Sequence, residues 1–278
     1  MSETNNSFRE LRATDHSLHY LGRVLADDTT VEFRDELPLE APVERYVFAN
    51  GFTGTMESMA LPRCVAAHEG YDARALGSSH NHPNRSIERY AGEIIAVAGV
   101  TNPELSAPEV TGIHLVGVSM GGAAVLVAAR DCPNLLSVDA QVPACVSRTN
   151  QLFDLILGTS QRKREFQRLM RHDPGFALRA AVCGIAGVLR RPLGVAGEMV
   201  DLATRKVSKD IQAIQAMEKA PHIRITVGDE DGLIRKAGVI AAARELGVEV
   251  WTGKTGHVEG VLTDAEYTRE IIRMNLAA

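Results

Sequence analysis

Short runs of β-branched and apolar residues alternate along this chain with longer segments whose apolar positions recur at helical spacing. Residues 45–49 (RYVFA) predict a buried strand, and Asn50 and Gly51 open a loop toward a helix over about 56–67. A strand at 72–76, a helix over about 87–100, a strand at 112–116 (GIHLV) and an alanine-rich helix at 121–130 follow. Strand-to-helix units in succession predict class α/β, a mostly parallel sheet covered by helices. Residues 135–142 read as one more strand. From about 147 to 218 the alternation gives way to a predominantly helical pattern, which predicts an inserted cap. Sheet units resume with a strand at 222–227 (HIRITV), a helix over about 233–246, a strand at 248–251 and a last helix over about 265–275. Ahead of these, 18–25 and 30–34 are expected to pair as an antiparallel edge hairpin across a polar Ala-Asp-Asp turn. The expected organisation is a core of 1–146 plus 219–278 with a helical cap at 147–218.

Composition narrows the partners. With 278 residues, 45% hydrophobic and 23% charged, the chain can bury a sizeable core and is far from the signature of disorder. A net charge of -5 provides no basic field for a phosphate backbone, and no zinc-finger spacing or RNP motif occurs, so nucleic acid is not an expected partner. Cys64, Cys132, Cys145 and Cys183 are scattered without a C-x-x-C pair and read as reduced, buried thiols. Residues 1–17 lack the apolar core of a signal peptide, and the longest apolar run, 180–189, is too short to span a bilayer. No transmembrane segment is expected, and the cytoplasm is the expected compartment.

The chemistry concentrates at Gly117-Val118-Ser119-Met120-Gly121, a G-x-S-x-G between a predicted strand and a predicted helix. By composition the bare pattern would arise in about one chain in ten of this length, so its position carries the weight. A strand-to-helix turn this sharp requires nearly absent side chains two residues before and after the serine, and Gly117 and Gly121 meet that demand. Ser119 then stands at a helix N-terminus, where amides and the helix dipole favour developing negative charge.

A serine hydroxyl needs a base to take its proton. His257, in the glycine-rich loop Gly253-Lys254-Thr255-Gly256-His257 before the final helix, is placed to be that base. His114 falls inside a strand and reads as a satisfied core residue, while His80 and His82 form an H-x-H without a third metal ligand. The acid that orients the imidazole is sought in Gly228-Asp229-Glu230-Asp231-Gly232, after a strand; Asp231 is the first choice, with Asp229, Glu230 and the more distant Asp139 as rivals. Two backbone amides should form the oxyanion hole: that of Met120, which comes with the elbow, and that of Phe52 in the Asn50-Gly51-Phe52-Thr53-Gly54 loop.

In this order, the N-G-F-T-G loop, the G-V-S-M-G-G elbow, G-D-E-D-G and G-H resemble the α/β-hydrolase family over most of the chain. That resemblance implies an esterase-like or lipase-like serine hydrolase with Ser119, Asp231 and His257 in the family's order, and a helical cap after the sixth core strand. Asn50 stands where many relatives carry histidine, and Gly77-Ser78-Ser79-His80 replaces a frequent D-x-x-G-x-G. The substrate expected is a small ester or acyl compound, with no metal or organic cofactor. Thioesterase, amidase, C–C bond hydrolase or cofactor-free perhydrolase chemistry would use nearly the same residues, and a non-catalytic member would retain the pocket.

The cap segment carries twelve Lys and Arg against seven Asp and Glu, a local charge of +5, leaving -10 for the remainder. Arg162, Lys163, Arg164, Arg168 and Arg171 recur around Phe166, Leu169 and Met170, an amphipathic pattern suited either to solvent or to weak contact with an anionic substrate or surface. The apolar run 180–189 is expected either to line an acyl pocket or to pack on the core.

Overall fold

The computed structural model describes residues 7–13, 17–26, 29–38, 44–51, 59–76, 86–99, 110–144, 146, 207–231, 234, 236–253, 256 and 264–276, together with positions 167, 170, 171, 174, 175, 178, 182 and 201. Its strands are β1 (Ser7–Ala13), β2 (Ser17–Ala26), β3 (Thr29–Pro38), β4 (Glu44–Ala49), β5 (Asp72–Leu76), β6 (Gly112–Val118), β7 (Leu135–Gln141), β8 (His222–Gly228) and β9 (Glu249–Gly253). Its helices are α1 (Ala60–His68), α2 (Ile87–Gly99), α3 (Met120–Ala128), α4 (Ser208–Gln215), α5 (Lys236–Glu245) and α6 (Ala265–Leu276).

The nine strands form one sheet in the order β1-β2-β3-β5-β4-β6-β7-β8-β9. From β5 to β9 all pairings are parallel, whereas β1, β2 and β3 extend one edge in antiparallel fashion. The expected hairpin is present as β2–β3, paired from Ser17↔Pro38 to Ala26↔Thr29. Strand β1 was not foreseen, and its pairing explains why. A register shift between Glu10 and Arg12 interrupts the ladder, so Phe8 and Leu11 fall three apart and the period-2 signal is lost.

The central strands are buried on both faces. All seven residues of β6 are buried, as are Arg45 to Ala49 of β4, which fits parallel strands covered by helices on both sides. One core cluster joins Val47, Leu115, Val138 and Ile225 of the sheet to α2, α3, α4 and α5; the other joins Tyr46, Phe48 and Val116 to α1 and α6. Helix α3 is buried along its whole length, and its sequence MGGAAVLVA is accordingly apolar all round.

Strand β5 is buried throughout despite Asp72 and Arg74. Arg45 Nε contacts Asp72 at 2.6 Å, and Arg74 Nε lies 3.4 Å from the other carboxylate oxygen. Arg45 and Arg74 also donate to the Ala98 and Val97 carbonyls at the end of α2, so the cations meet the negative end of that helix. Helix α2 is thereby tied to β4 and β5. Of the cysteines described, Cys132 is buried, and burial pushes its thiol up to about 12, but Cys64 is exposed on α1, contrary to expectation. Its position beside the buried Val65, Ala66 and Ala67 puts it on the outer side of an amphipathic helix.

Candidate active site

In an open parallel sheet the crevice forms outside the carboxyl ends of the strands, where the strand order reverses. Here the chain runs from β4 outward to β5 and returns through β6 to the other side, so the reversal lies between β4 and β6. Gly51 follows the first of these strands and Ser119 the second.

Ser119 adopts φ 56° and ψ -114°, a strained conformation for a residue with a side chain, as the N-cap of α3. The flanking glycines make the turn possible. A β-carbon on Gly117 would lie 2.2 Å from the Gly121 carbonyl oxygen, and one on Gly121 would lie 2.3 Å from that of Ala49. The end of β7 holds the serine backbone: Ser119 N–H donates to Gln141 O at 2.8 Å, and Ala144 N–H donates to Ser119 O at 3.1 Å. The turn between those partners is strained too, with the β-branched Val142 at φ 41°. The Met120 amide belongs to the first turn of α3, where amides have no acceptor within the helix.

Gly51 closes on this turn from the side of β4. A β-carbon there would stand 3.1 Å from Ser119 Cβ and 3.7 Å from its Oγ, so the expected oxyanion loop starts against the Ser119 side chain. Asn50 is buried and its Oδ1 accepts the Gly51 N–H at 2.7 Å. Tyr90, on α2, donates its hydroxyl to the Asn50 carbonyl at 2.9 Å.

The acidic turn after β8 distinguishes its three carboxylates. Asp229 pairs with Lys236, and both Asp229 and Glu230 are exposed. Asp231 is half-buried and accepts the Ile234 N–H at 3.0 Å, which orients its carboxylate. Asp139 has a different task. Fully buried in β7, it accepts Arg224 Nε and Nη2 at 2.8 and 2.6 Å and Thr226 Oγ1 at 3.1 Å; Arg224 continues to Asn275 of α6.

A serine–histidine–acid chain lies at the opposite edge of the sheet. Ser137 Oγ is 2.7 Å from His114 Nδ1, and His114 Nε2 is 3.0 Å from Glu44 Oε2. Serine and histidine are 2% exposed, and the imidazole stacks on Tyr46 at 4.4 Å between centroids. This is the satisfied core histidine expected from sequence, its partner Ser137 buried with it.

No family model matches the chain, and no curated protein does. Solved structures are similar over nearly its whole length. They include the enol-lactonase from Burkholderia xenovorans LB400, at 14% identity and TM-score 0.67 over 92% of this chain and 100% of that one. A membrane phospholipase A described as a bacterial virulence factor is 18% identical at TM-score 0.66, covering 93% and 86%. An esterase from Exiguobacterium antarcticum is 13% identical at TM-score 0.66, covering 91% and 98%. The fold is that of the α/β-hydrolases.

Within this α/β-hydrolase fold, the expected residues divide by position. Gly51, Gly117, Ser119, Met120 and Gly121 are assembled around one turn, and Asp231 follows β8 at the same edge of the sheet. Phe52 and His257 lie outside the described residues, although Gly256, immediately before the histidine, is buried just past β9. His80 and His82 also lie outside them. Among the described residues no group of three or more His, Cys, Asp or Glu is arranged to hold a metal, and no helix is long and apolar enough to cross a membrane. Most of 147–206 lies outside as well; positions 167, 170, 171, 174, 175, 178 and 182 are helical and exposed, so Val182, within the apolar run, faces outward. Tyr90 and Ala144 were not foreseen as parts of the site, since each reads as an ordinary core position.

Proposed function

We propose that the protein is a serine hydrolase that cleaves a carboxylic ester through an acyl-enzyme. Ser119 attacks the carbonyl, and His257 takes the hydroxyl proton and delivers it to the departing alcohol. Asp231 fixes the imidazole and stabilises its charged form. The amides of Met120 and Phe52 receive the developing oxyanion, and water then releases the acid by the same steps. The observation that carries this reading is the strained Ser119, held at φ 56° between two glycines that nothing larger could replace, with Gly51 against its side chain. Strain of this kind persists where surrounding structure enforces it and clusters at reactive residues. The basis for choosing an ester is the company of the fold: neighbours named as an esterase, a phospholipase and a lactonase. Of the segment 147–218 expected to form a helical cap, α4 packs on the core through Ile211 and Ile214, and the part before it would shape the substrate pocket.

The test is hydrolysis of short and medium p-nitrophenyl esters by wild type and Ser119→Ala, with intact-mass detection of a fluorophosphonate adduct. Turnover and labelling in the wild type that both vanish in the variant are expected. A folded wild type showing neither would sink the reading. Thioester, amide and peracid-forming substrates assayed beside the esters identify the bond cleaved.

A further inference from the structure

We propose that Tyr90 is a positioning residue for the oxyanion-binding loop, fixing the Asn50–Gly51 peptide through its hydroxyl; this rests on the hydrolase reading above. Tyr90 is completely buried, and a buried hydroxyl is unfavourable unless it finds a partner. It donates to the Asn50 carbonyl at 2.9 Å, with the Leu76 carbonyl a second acceptor at 3.4 Å. Phenylalanine would fill the same space, so the hydroxyl serves this contact rather than packing.

The peptide it reaches is gripped from every side. Its carbonyl accepts from Tyr90, and its N–H donates to the Asn50 side chain at 2.7 Å. Asn50 N–H donates to Leu76 O at 3.2 Å, and the Cα of Gly121 presses on the Asn50 carbonyl so closely that a β-carbon would stand 2.5 Å away. Rotation of this peptide would have to break these contacts. Rotating it would release the Gly51 N–H from Asn50 and disturb the start of the loop proposed to supply the second oxyanion donor. An oxyanion donor must be held within a few tenths of an ångström and about 10–20° to be effective.

Tyr90 is also mounted on a rigid element. The far end of α2 is tied down by Arg45 and Arg74, and the near end by Asp201, whose carboxylate accepts the Ile87 N–H at 2.7 Å. The tyrosine thus transmits a fixed helix position to the loop, with Asn50 as intermediary.

The experiment compares full-length wild type, Tyr90→Phe and Asn50→Ala on a p-nitrophenyl ester and with a trifluoromethyl ketone, whose serine adduct carries an oxyanion. Full loss of an oxyanion donor lowers kcat about 10²–10³-fold, so loosening one is expected to lower it roughly ten-fold or more. KM should change less than about three-fold, and ketone affinity should fall in step with kcat. A purely structural role would lower the melting temperature and leave both constants of the folded variant unchanged. A folded Tyr90→Phe with wild-type kcat and ketone affinity overturns the inference, provided wild type turns over esters and takes the fluorophosphonate label. A wild type that does neither overturns the hydrolase reading and this inference with it. Should Tyr90→Phe fail to fold, Asn50→Ala releases the other end of the same peptide and decides by the same two constants.

Discussion

Gly121 packs against the carbonyl of Asn50 so tightly that a β-carbon on it would lie 2.5 Å from that oxygen and 2.3 Å from the oxygen of Ala49. Both obstacles are backbone at the end of β4, which cannot swing aside as a side chain would. Gly121→Ala is therefore expected to destabilise the protein by about 3 kcal/mol, the upper part of the range for overpacking, and to separate the Asn50–Gly51 turn from the start of α3. Gly122→Ala serves as the comparison, since its β-carbon would meet backbone atoms of Gln141, Gly117 and Pro143 at 3.1 Å, tight but well short of the overlap at Gly121. Denaturant midpoints for the two variants should differ clearly; equal midpoints would contradict the close approach of α3 to β4.

Ser119 stores strain that a glycine would release. At φ 56° and ψ -114° a side chain costs on the order of 1–3 kcal/mol, and glycine largely escapes this penalty. Ser119→Gly is expected to be more stable than Ser119→Ala by about 1–2 kcal/mol, although both lack the proposed nucleophile and neither should hydrolyse esters. Thermal melts of the two inactive variants provide the comparison. Ser119→Ala as stable as Ser119→Gly would mean that the backbone at the elbow is relaxed.

How much of this was legible in sequence depends on whether the signal is local. The elbow was readable because the required residue types are adjacent, and strands β4, β6 and β8 because buried parallel strands leave largely apolar runs between helical segments. Strand β1 was hidden by its interrupted register, a property of pairing with β2 that its own seven residues do not display. Tyr90 was hidden differently. Its hydroxyl meets a carbonyl forty positions earlier in the chain, and only the packing of α2 beneath the β4 loop brings them together. Likewise Asp229, Glu230 and Asp231 are equivalent as letters, and become distinct only when Lys236 folds onto the first and the Ile234 amide onto the last.

The Asp139–Arg224 pair offers a test of the assignment of Asp139 to the core. Its atoms are 0% and 1% exposed, and Arg224 bridges β7 to Asn275 and the Ile271 carbonyl of α6. Removing one partner leaves the other charge buried, a loss of about 3–5 kcal/mol, whereas replacing both with apolar residues of similar volume is often near neutral. Asp139→Leu and Arg224→Met should each destabilise strongly, and the double variant should recover most of the loss. Urea titrations of the four proteins close the cycle. Additive losses would show that the two side chains do not depend on each other.

His114 predicts the pH dependence of stability. Burial lowers its pKa below the usual 6.5, against an opposing pull from Glu44, so the folded protein favours the neutral ring that Ser137 and Glu44 flank and Tyr46 stacks upon. The unfolded chain binds the proton more readily, and stability contributed by His114 is complete above pH 6.5. It is lost progressively as the pH falls below that value toward the lower folded pKa, with a slope of at most about 1.4 kcal/mol per pH unit. His114→Gln keeps a neutral polar group at the site and removes the titration. Denaturant midpoints from pH 7.5 to 5 should therefore decline more steeply for wild type than for His114→Gln, the two curves converging in slope above pH 7. Parallel curves over the whole interval would mean that the ring accepts its proton equally well in the folded and unfolded chains, with Glu44 compensating fully for burial.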